Sequence, residues 1–214
     1  MRRITTTAAL CLAAVVACTG QTAQASNESL VLDSLARQDS INRAQPGYVI
    51  DSIFPAEEEL RRFNAGSMRP AALSGGASDR ETLVRQFARA LQQADTATLR
   101  TLLLTRAEFG HLVFPESPFA REPFKTKPGL VWMQLVAASE RGMTRLLDRV
   151  SGPGVQISSL RCDRTPEDQG PNTYWRNCSV LVHRQGTPTH RAQLFGQILV
   201  RDGRAKFVAY DGDF

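Results

Sequence analysis

The sequence predicts an α+β domain in which N-terminal helices pack on a curved four-stranded antiparallel sheet, and three observations lead there. Leu83, Val84, Phe87, Ala88, Leu91 and Ala94 recur at three- and four-residue steps, the period that lays one apolar stripe along a helix. Residues 155–210 instead carry short runs rich in Val, Ile, Leu and Tyr, each bounded by turn residues. Ser151-Gly152-Pro153-Gly154 separates the two regimes, because this composition ends a helix and does not begin another.

Taken in order, the first helix opens at Ser78-Asp79-Arg80-Glu81, a capping-box pattern in which the Ser78 hydroxyl is expected to accept an early backbone N–H. Asp95 is placed to cap a second, short helix carrying Leu99, Leu102 and Leu103. Between 107 and 128, Phe109, Val113, Phe114, Phe119 and Phe124 alternate with Pro115, Pro118, Pro123 and Pro128. Proline at that density breaks helix and central strand alike, so a short helix followed by an ordered, aromatic-anchored loop is predicted. The helical period returns over Gly129–Val150 through Val131, Leu135, Ala138, Leu146, Leu147 and Val150, with Arg141, Arg145 and Arg149 on another face. Four strands follow, at Val155–Cys162, Tyr174–Arg184, His190–Arg201 and Ala205–Tyr210. Asp202-Gly203 is a tight-hairpin signal, Gly186 and Pro188 mark the preceding turn, and Asp163–Thr173 reads as a polar loop. Links this short place sequential strands side by side, which predicts an antiparallel meander.

The start of the chain speaks to compartment. Met1-Arg2-Arg3 is cationic and Ile4–Ala17 is uncharged, the layout of a secretory signal over residues 1–17. The apolar run is shorter than the ~20 residues a helix needs to cross a hydrocarbon core. Val15-Val16-Ala17-Cys18 resembles a bacterial lipobox, which would leave Cys18 lipidated at the mature N-terminus; Ala23-Gln24-Ala25 is a competing site that would release a soluble protein starting at Ser26. Cys18 lies directly after the apolar run, which favours a membrane-anchored lipoprotein facing the periplasm over a soluble periplasmic or secreted product. Residues 18–77 then read as a tether rich in Ser, Ala, Gln, Asn and Gly, with Ser74-Gly75-Gly76-Ala77 as a flexible joint and the domain occupying 78–214. Within the tether, Ile50, Ile53, Phe54, Leu60 and Phe63 suit an apolar latch on a helix opened by Pro55, and a mobile spacer fits the same residues.

Export accords with the cysteines. With Cys11 in the signal and Cys18 lipidated, Cys162 and Cys178 remain as an even pair, expected to form a disulfide in an oxidising compartment. A metal site is not predicted, since the pair lacks CxxC spacing and no third ligand accompanies it. The span 27–66 carries four Arg against seven acids, and 78–214 carries nineteen Lys or Arg against fourteen acids. These charges are dispersed and carry no nucleic-acid motif, so nucleic acid is not an expected partner.

The helix pair Phe87–Leu104, with Ala90-Leu91-Gln92-Gln93-Ala94-Asp95-Thr96 before a Leu-rich short helix, resembles the opening of NTF2-like (cystatin-like) domains. The closing Phe207-Val208-Ala209-Tyr210-Asp211-Gly212 resembles their end, so the likeness covers about 79–212. Many such domains place a strand hairpin after the second helix, where this chain has its proline-rich segment and a long third helix. The resemblance implies a conical cavity between helices and curved sheet, used either for small ligands or for acid–base chemistry.

Candidate ligand-binding residues follow. Glu108 and His111, three apart, would share a helical face and tune one another. Trp132, Tyr174, Trp175 and Tyr210 offer aromatic surface with a polar edge, although Tyr174 and Trp175 must face opposite sides of their strand, as must Tyr210 and Asp211. His183 and His190 flank a turn and read as solvated. No HExxH, GxSxG, Walker A or Rossmann pattern occurs, and no catalytic residue or cofactor is assigned. Three functions remain: a non-catalytic envelope module binding a protein or the cell wall, which ranks first; a carrier of a small apolar ligand; and an isomerase- or hydratase-like enzyme. A filled core with an exposed apolar groove would favour the first.

Overall fold

A computed structural model describes residues 30, 33–34, 36–45 and 54–213. The chain divides into two compact units, Met1–Ile53 and Phe54–Phe214. In the first, residues 36–43 are helical, and Asp33–Arg37 and Asp39–Arg43 form exposed pairs one turn apart at 3.0 and 2.8 Å. The expected signal segment, Cys18, both candidate cleavage sites, Ile50 and Ile53 lie outside the described residues.

The second unit runs α1 (Ala56–Asn64), α2 (Arg80–Gln92), α3 (Thr96–Thr101), α4 (Arg106–Glu108) and α5 (Pro128–Arg149), then seven strands. These are β1 (Val155–Arg161), β2 (Glu167–Gln169), β3 (Asn172–Trp175), β4 (Ser179–Arg184), β5 (Thr187–Ala192), β6 (Ile198–Arg201) and β7 (Arg204–Phe207). Helix α4 runs on into a π-helical turn, Phe109–Val113, and two 3-10 turns complete the proline-rich segment.

Asp79, not Ser78, caps α2. Its carboxylate accepts from the Thr82 N–H at 2.6 Å, and Ser78 Oγ donates to that same carboxylate. An ionised acceptor suits the partial positive charge at a helix start better than a hydroxyl does. Asp95 caps α3 as predicted, accepting from the Thr98 N–H at 3.0 Å. Hydrogen bonds from the Thr82 and Thr98 hydroxyls and N–H groups hold both aspartates below their ordinary pKa. A full capping box does exist, at Thr105 and Glu108 on α4.

The sheet departs from the predicted single four-stranded form. Two antiparallel sheets are present, ordered β1-β4-β5 and β2-β3-β6-β7. The expected strand Tyr174–Arg184 is broken between Trp175 and Ser179, and His190–Arg201 between Ala192 and Ile198. Asn177, at φ 50°, supplies the first bend in the left-handed region that Asn tolerates. Each long strand therefore leaves one sheet and enters the other, the usual way a packed sheet turns a corner. Part of the predicted polar loop pairs as β2 with β3 across Gly170 and Pro171. Cys162, just after β1, and Cys178, just before β4, are joined by the expected disulfide and close the loop that holds this hairpin.

Strand alternation sorts the interior into two clusters. On one face, Ile198 pairs with Phe207, and both join Phe87, Leu91, Leu146 and Tyr210. On the other, Tyr174 pairs with Leu199, and both join Phe63, Leu73, Phe109 and Phe114. The four-stranded sheet is thus covered on both sides. Phe63 and Leu73 in the second cluster answer the question the sequence left open about 54–77: α1 packs into this unit, with the Phe63 ring edge-on to Phe109 at 5.8 Å. The stretch read as a flexible joint is an ordered edge, for Ala77 and Ala205 exchange backbone hydrogen bonds at 3.0 and 2.8 Å. Gly76, at φ 64°, sits so close that a Cβ there would lie 2.4 Å from the Ala205 carbonyl oxygen.

Helix α5 approaches the C-terminal segment equally closely. A Cβ on Gly142 would fall 1.4 Å from the Tyr210 carbonyl oxygen. Gly142→Ala is expected to cost about 1–3 kcal/mol despite alanine's higher helix propensity, since backbone must yield. Gly129→Ala, in the same helix with its nearest neighbour at 3.9 Å, is the control and should not lower the melting temperature.

Candidate functional site

Glu108 is fully buried, and the register explains what it meets. Lys206 pairs with Leu199 across β6–β7, so it points to the sheet face that carries the second cluster. Backbone bonds from Phe207 to Leu102 and from Leu104 to Phe207 hold the start of α4 against β7. The result is a buried ion pair, with Lys206 Nζ donating to the two Glu108 oxygens at 3.1 and 2.8 Å. Ser74 N–H at 2.6 Å, Ser74 Oγ at 3.0 Å and Thr105 N–H at 2.8 Å also donate to this carboxylate. Burial pushes the Glu108 pKa up, but Lys206 and the Thr105 and Ser74 N–H groups outweigh it and hold the group below its ordinary value. Fully buried and bonded to Ser74, Thr105 and Lys206, this carboxylate is a clamp between the 74–77 edge, α4 and β7.

His111 does not join it. The π-helical turn places His111 on the half-exposed side, with Nε2 at 3.2 Å from Ser67 Oγ. The wider π turn cancels the three-residue spacing that would have aligned the two side chains. His111 lines a shallow, strongly charged groove of about 570 Å³ together with Arg61, Arg69, Glu116 and Arg201.

The aromatic candidates also separate. Tyr210 is buried in the first cluster and donates its hydroxyl to the Leu99 carbonyl at 2.8 Å; burial raises its pKa. Tyr174 is buried in the second cluster, and burial, with Glu167 nearby, pushes its phenol up to about 12. Trp175, on the opposite strand face, lies under the Arg80 guanidinium at 3.6 Å. Trp132 stacks on Phe109 at 5.3 Å and reaches a groove between the α3–α4 turn and α5. The space under α2 where a conical cavity was expected is filled by Phe87, Phe195, Phe207 and Tyr210, with ring centroids 4.4–5.7 Å apart. Among the described residues no cluster of His, Cys, Asp and Glu could hold a metal ion.

What the sequence reading missed is the outer face of α5. Gly129 to Ala138 carries no charge, and its apolar residues surround the helix. Val131, Trp132 and Leu135 pack against the second cluster, whereas Leu130, Met133 and Val136 are 44, 59 and 39 % exposed. Phe119 and Phe124, in the loop entering α5, are 46 and 60 % exposed. Val136 also lines the Trp132 groove, about 160 Å³, whose far side is Leu103, Leu104 and Val208. The detectable signal was the apolar residue at every helical angle, which a one-sided helix does not need. No protein family, curated protein or solved structure matches the chain.

Proposed function

We propose that the chain is an exported lipoprotein, tethered through Cys18, whose NTF2-like α+β domain serves as a non-catalytic interaction module of the cell envelope. The exposed apolar face Leu130, Met133 and Val136, running into the Trp132 groove, carries this reading. Over Gly129–Ala138 the first half of α5 is apolar all round, a pattern that belongs inside a core, and only its Val131, Trp132 and Leu135 side is covered within its own unit. Patches of this kind mark surfaces that another molecule covers. The partner that fits is an envelope protein presenting an apolar segment, with the Arg100–Glu140 pair at the groove rim to orient polar groups.

The NTF2-like assignment draws support from the α2–α3 helix pair and from the meander pairing, in which β1 neighbours β4, β4 neighbours β5, β3 neighbours β6 and β6 neighbours β7. The filled interior and the clamped Glu108 count against an acid–base enzyme in that cup.

Photocrosslinking tests the surface. A benzophenone amino acid placed at position 130 or 133 in cells should give a discrete adduct with an envelope protein, and one at exposed position 185 should not. Equal labelling at 185, or none at the α5 positions, removes the proposal. For the anchor, labelled palmitate should enter the wild-type protein and not Cys18→Ala; a mature N-terminus at Ser26 would overturn it.

A further inference from the structure

We infer that the open end of the three-stranded sheet is a binding site for a small amphiphilic anion, a single apolar chain bearing a carboxylate. The site is separate from the α5 surface and does not depend on it.

Cross-strand pairs set its two halves. Val155 pairs with Arg184, Ile157 with Val182, Val182 with His190 and Val180 with Ala192. Paired side chains share a sheet face, so an apolar patch grades into a cationic one along the same surface. Helix α2 packs on β1, and on this face α5 contributes only its last turn, Arg149 and Val150, before the chain turns away through 151–154. Beyond its last turn lies a cavity of about 350 Å³, within the ~300–1,000 Å³ of small-molecule sites.

Val150, Val155, Val182, Ala192 and Leu194 form its apolar lining, and Val155 and Leu194 are almost wholly buried. The mouth carries Arg149, Arg184 and His190, and among the described residues Asp213 is the one carboxylate lining it. Arg184 Nη1 donates to the Arg149 carbonyl at 3.2 Å, which fixes the guanidinium at the rim. A guanidinium has five donors, and a carboxylate accepts two of them in a fork. Arg191 pairs with Leu181 and so belongs to the other sheet face, where its Nη1 donates to the Ser159 and Ser179 carbonyls at 3.0 and 3.2 Å; on this face the headgroup contacts fall to Arg184 and His190. Apolar walls beneath a cationic rim strengthen the attraction for an anion at the mouth. A neutral chain would use the lining alone and a short anion the rim alone; an amphiphile uses both.

Titration calorimetry on the full chain with decanoate, below its micelle concentration, tests the site against acetate and 1-decanol. Saturable one-to-one binding of decanoate is expected, with acetate and decanol at least about tenfold weaker. Arg184→Gln should weaken decanoate binding about tenfold, the loss of one charge-assisted contact. Ala192→Phe, which fills the lining, should abolish binding. Absence of saturable decanoate binding, decanol binding as tightly as decanoate, or Arg184→Gln binding like wild type would each overturn the inference.

Discussion

Glu108→Ala is expected to lower the unfolding free energy by about 3–5 kcal/mol, because it leaves the Lys206 ammonium buried without its counter-charge. Both side chains are only 1 % exposed, so water cannot replace the lost partner without opening the second cluster. Lys206→Met should cost a similar amount by stranding the carboxylate. The double variant Glu108→Leu/Lys206→Met separates charge from hydrogen bonding. It removes both ions, which apolar replacements of similar volume tolerate, yet it strips the Ser74 and Thr105 N–H groups of their acceptor at about 1–3 kcal/mol. Urea melts should therefore rank wild type above the double variant and the double variant above either single one. A double variant no better than Glu108→Ala would mean that the bonds donated by the Ser74 and Thr105 N–H groups, and not the charge pair, carry the clamp.

The same carboxylate dictates a pH dependence. Its folded pKa lies below its ordinary value of 4.5, so the unfolded chain takes up the proton first as pH falls. The clamp's stabilisation is complete above about 4.5 and is lost as pH drops from there through the folded value. Glu108→Gln should flatten that part of the acid-unfolding curve, and an unaltered curve would exclude Glu108 as its source.

Removing the Cys162–Cys178 bridge ranks second. The cysteines are 16 residues apart, and the chain-entropy model assigns a loop of that size about 3 kcal/mol. The variant Cys162→Ala/Cys178→Ala should lose about that much under oxidising conditions and match the wild type once the latter is reduced. Its urea m-value should rise, since the unfolded chain can expand further. The bridge ties β1 to β4 beside the bend at Asn177, so the hairpin β2–β3 should be the first region to gain amide exchange. Equal midpoints under oxidising conditions would remove the bridge from the stability of the domain.

Much of the helical layer was legible in the sequence because its determinants are local. The three- and four-residue period of Leu83 to Leu91, the Asp95 cap and the Ser151–Gly154 stop each act within a few residues, and α2, α3 and α5 stand where they point. The cysteine pairing was legible for a related reason, since an even pair in a short loop has one partner. The strands were legible as apolar runs, but their bends were not. Arg176 and Asn177 interrupt the run after Trp175, but such a pair can also sit within a strand, and only the second sheet shows that the run divides there.

The candidate site was the least legible part. Glu108 and His111 stood out by chemistry and spacing, yet the π-helical turn parts them, and no local sequence rule anticipates an extra residue per turn. Lys206 carried a signal of its own, a cation set between Ala205 and Phe207 and followed by the apolar run through Tyr210. The α5 face shows the converse. Leu130, Met133 and Val136 look like core residues by type, and only packing reveals that nothing in their own unit covers them.

The helical layer, the strand content of the last third, the cysteine pair and the α+β class all follow from local pattern along the chain. Tertiary structure alone decided the division into two sheets, the incorporation of 54–77, and the partnership of Glu108 with a lysine 98 residues away. The reason is register: in a strand, a slip of one residue exchanges the two faces, so which side chains are buried together depends on distant pairings that no local window contains.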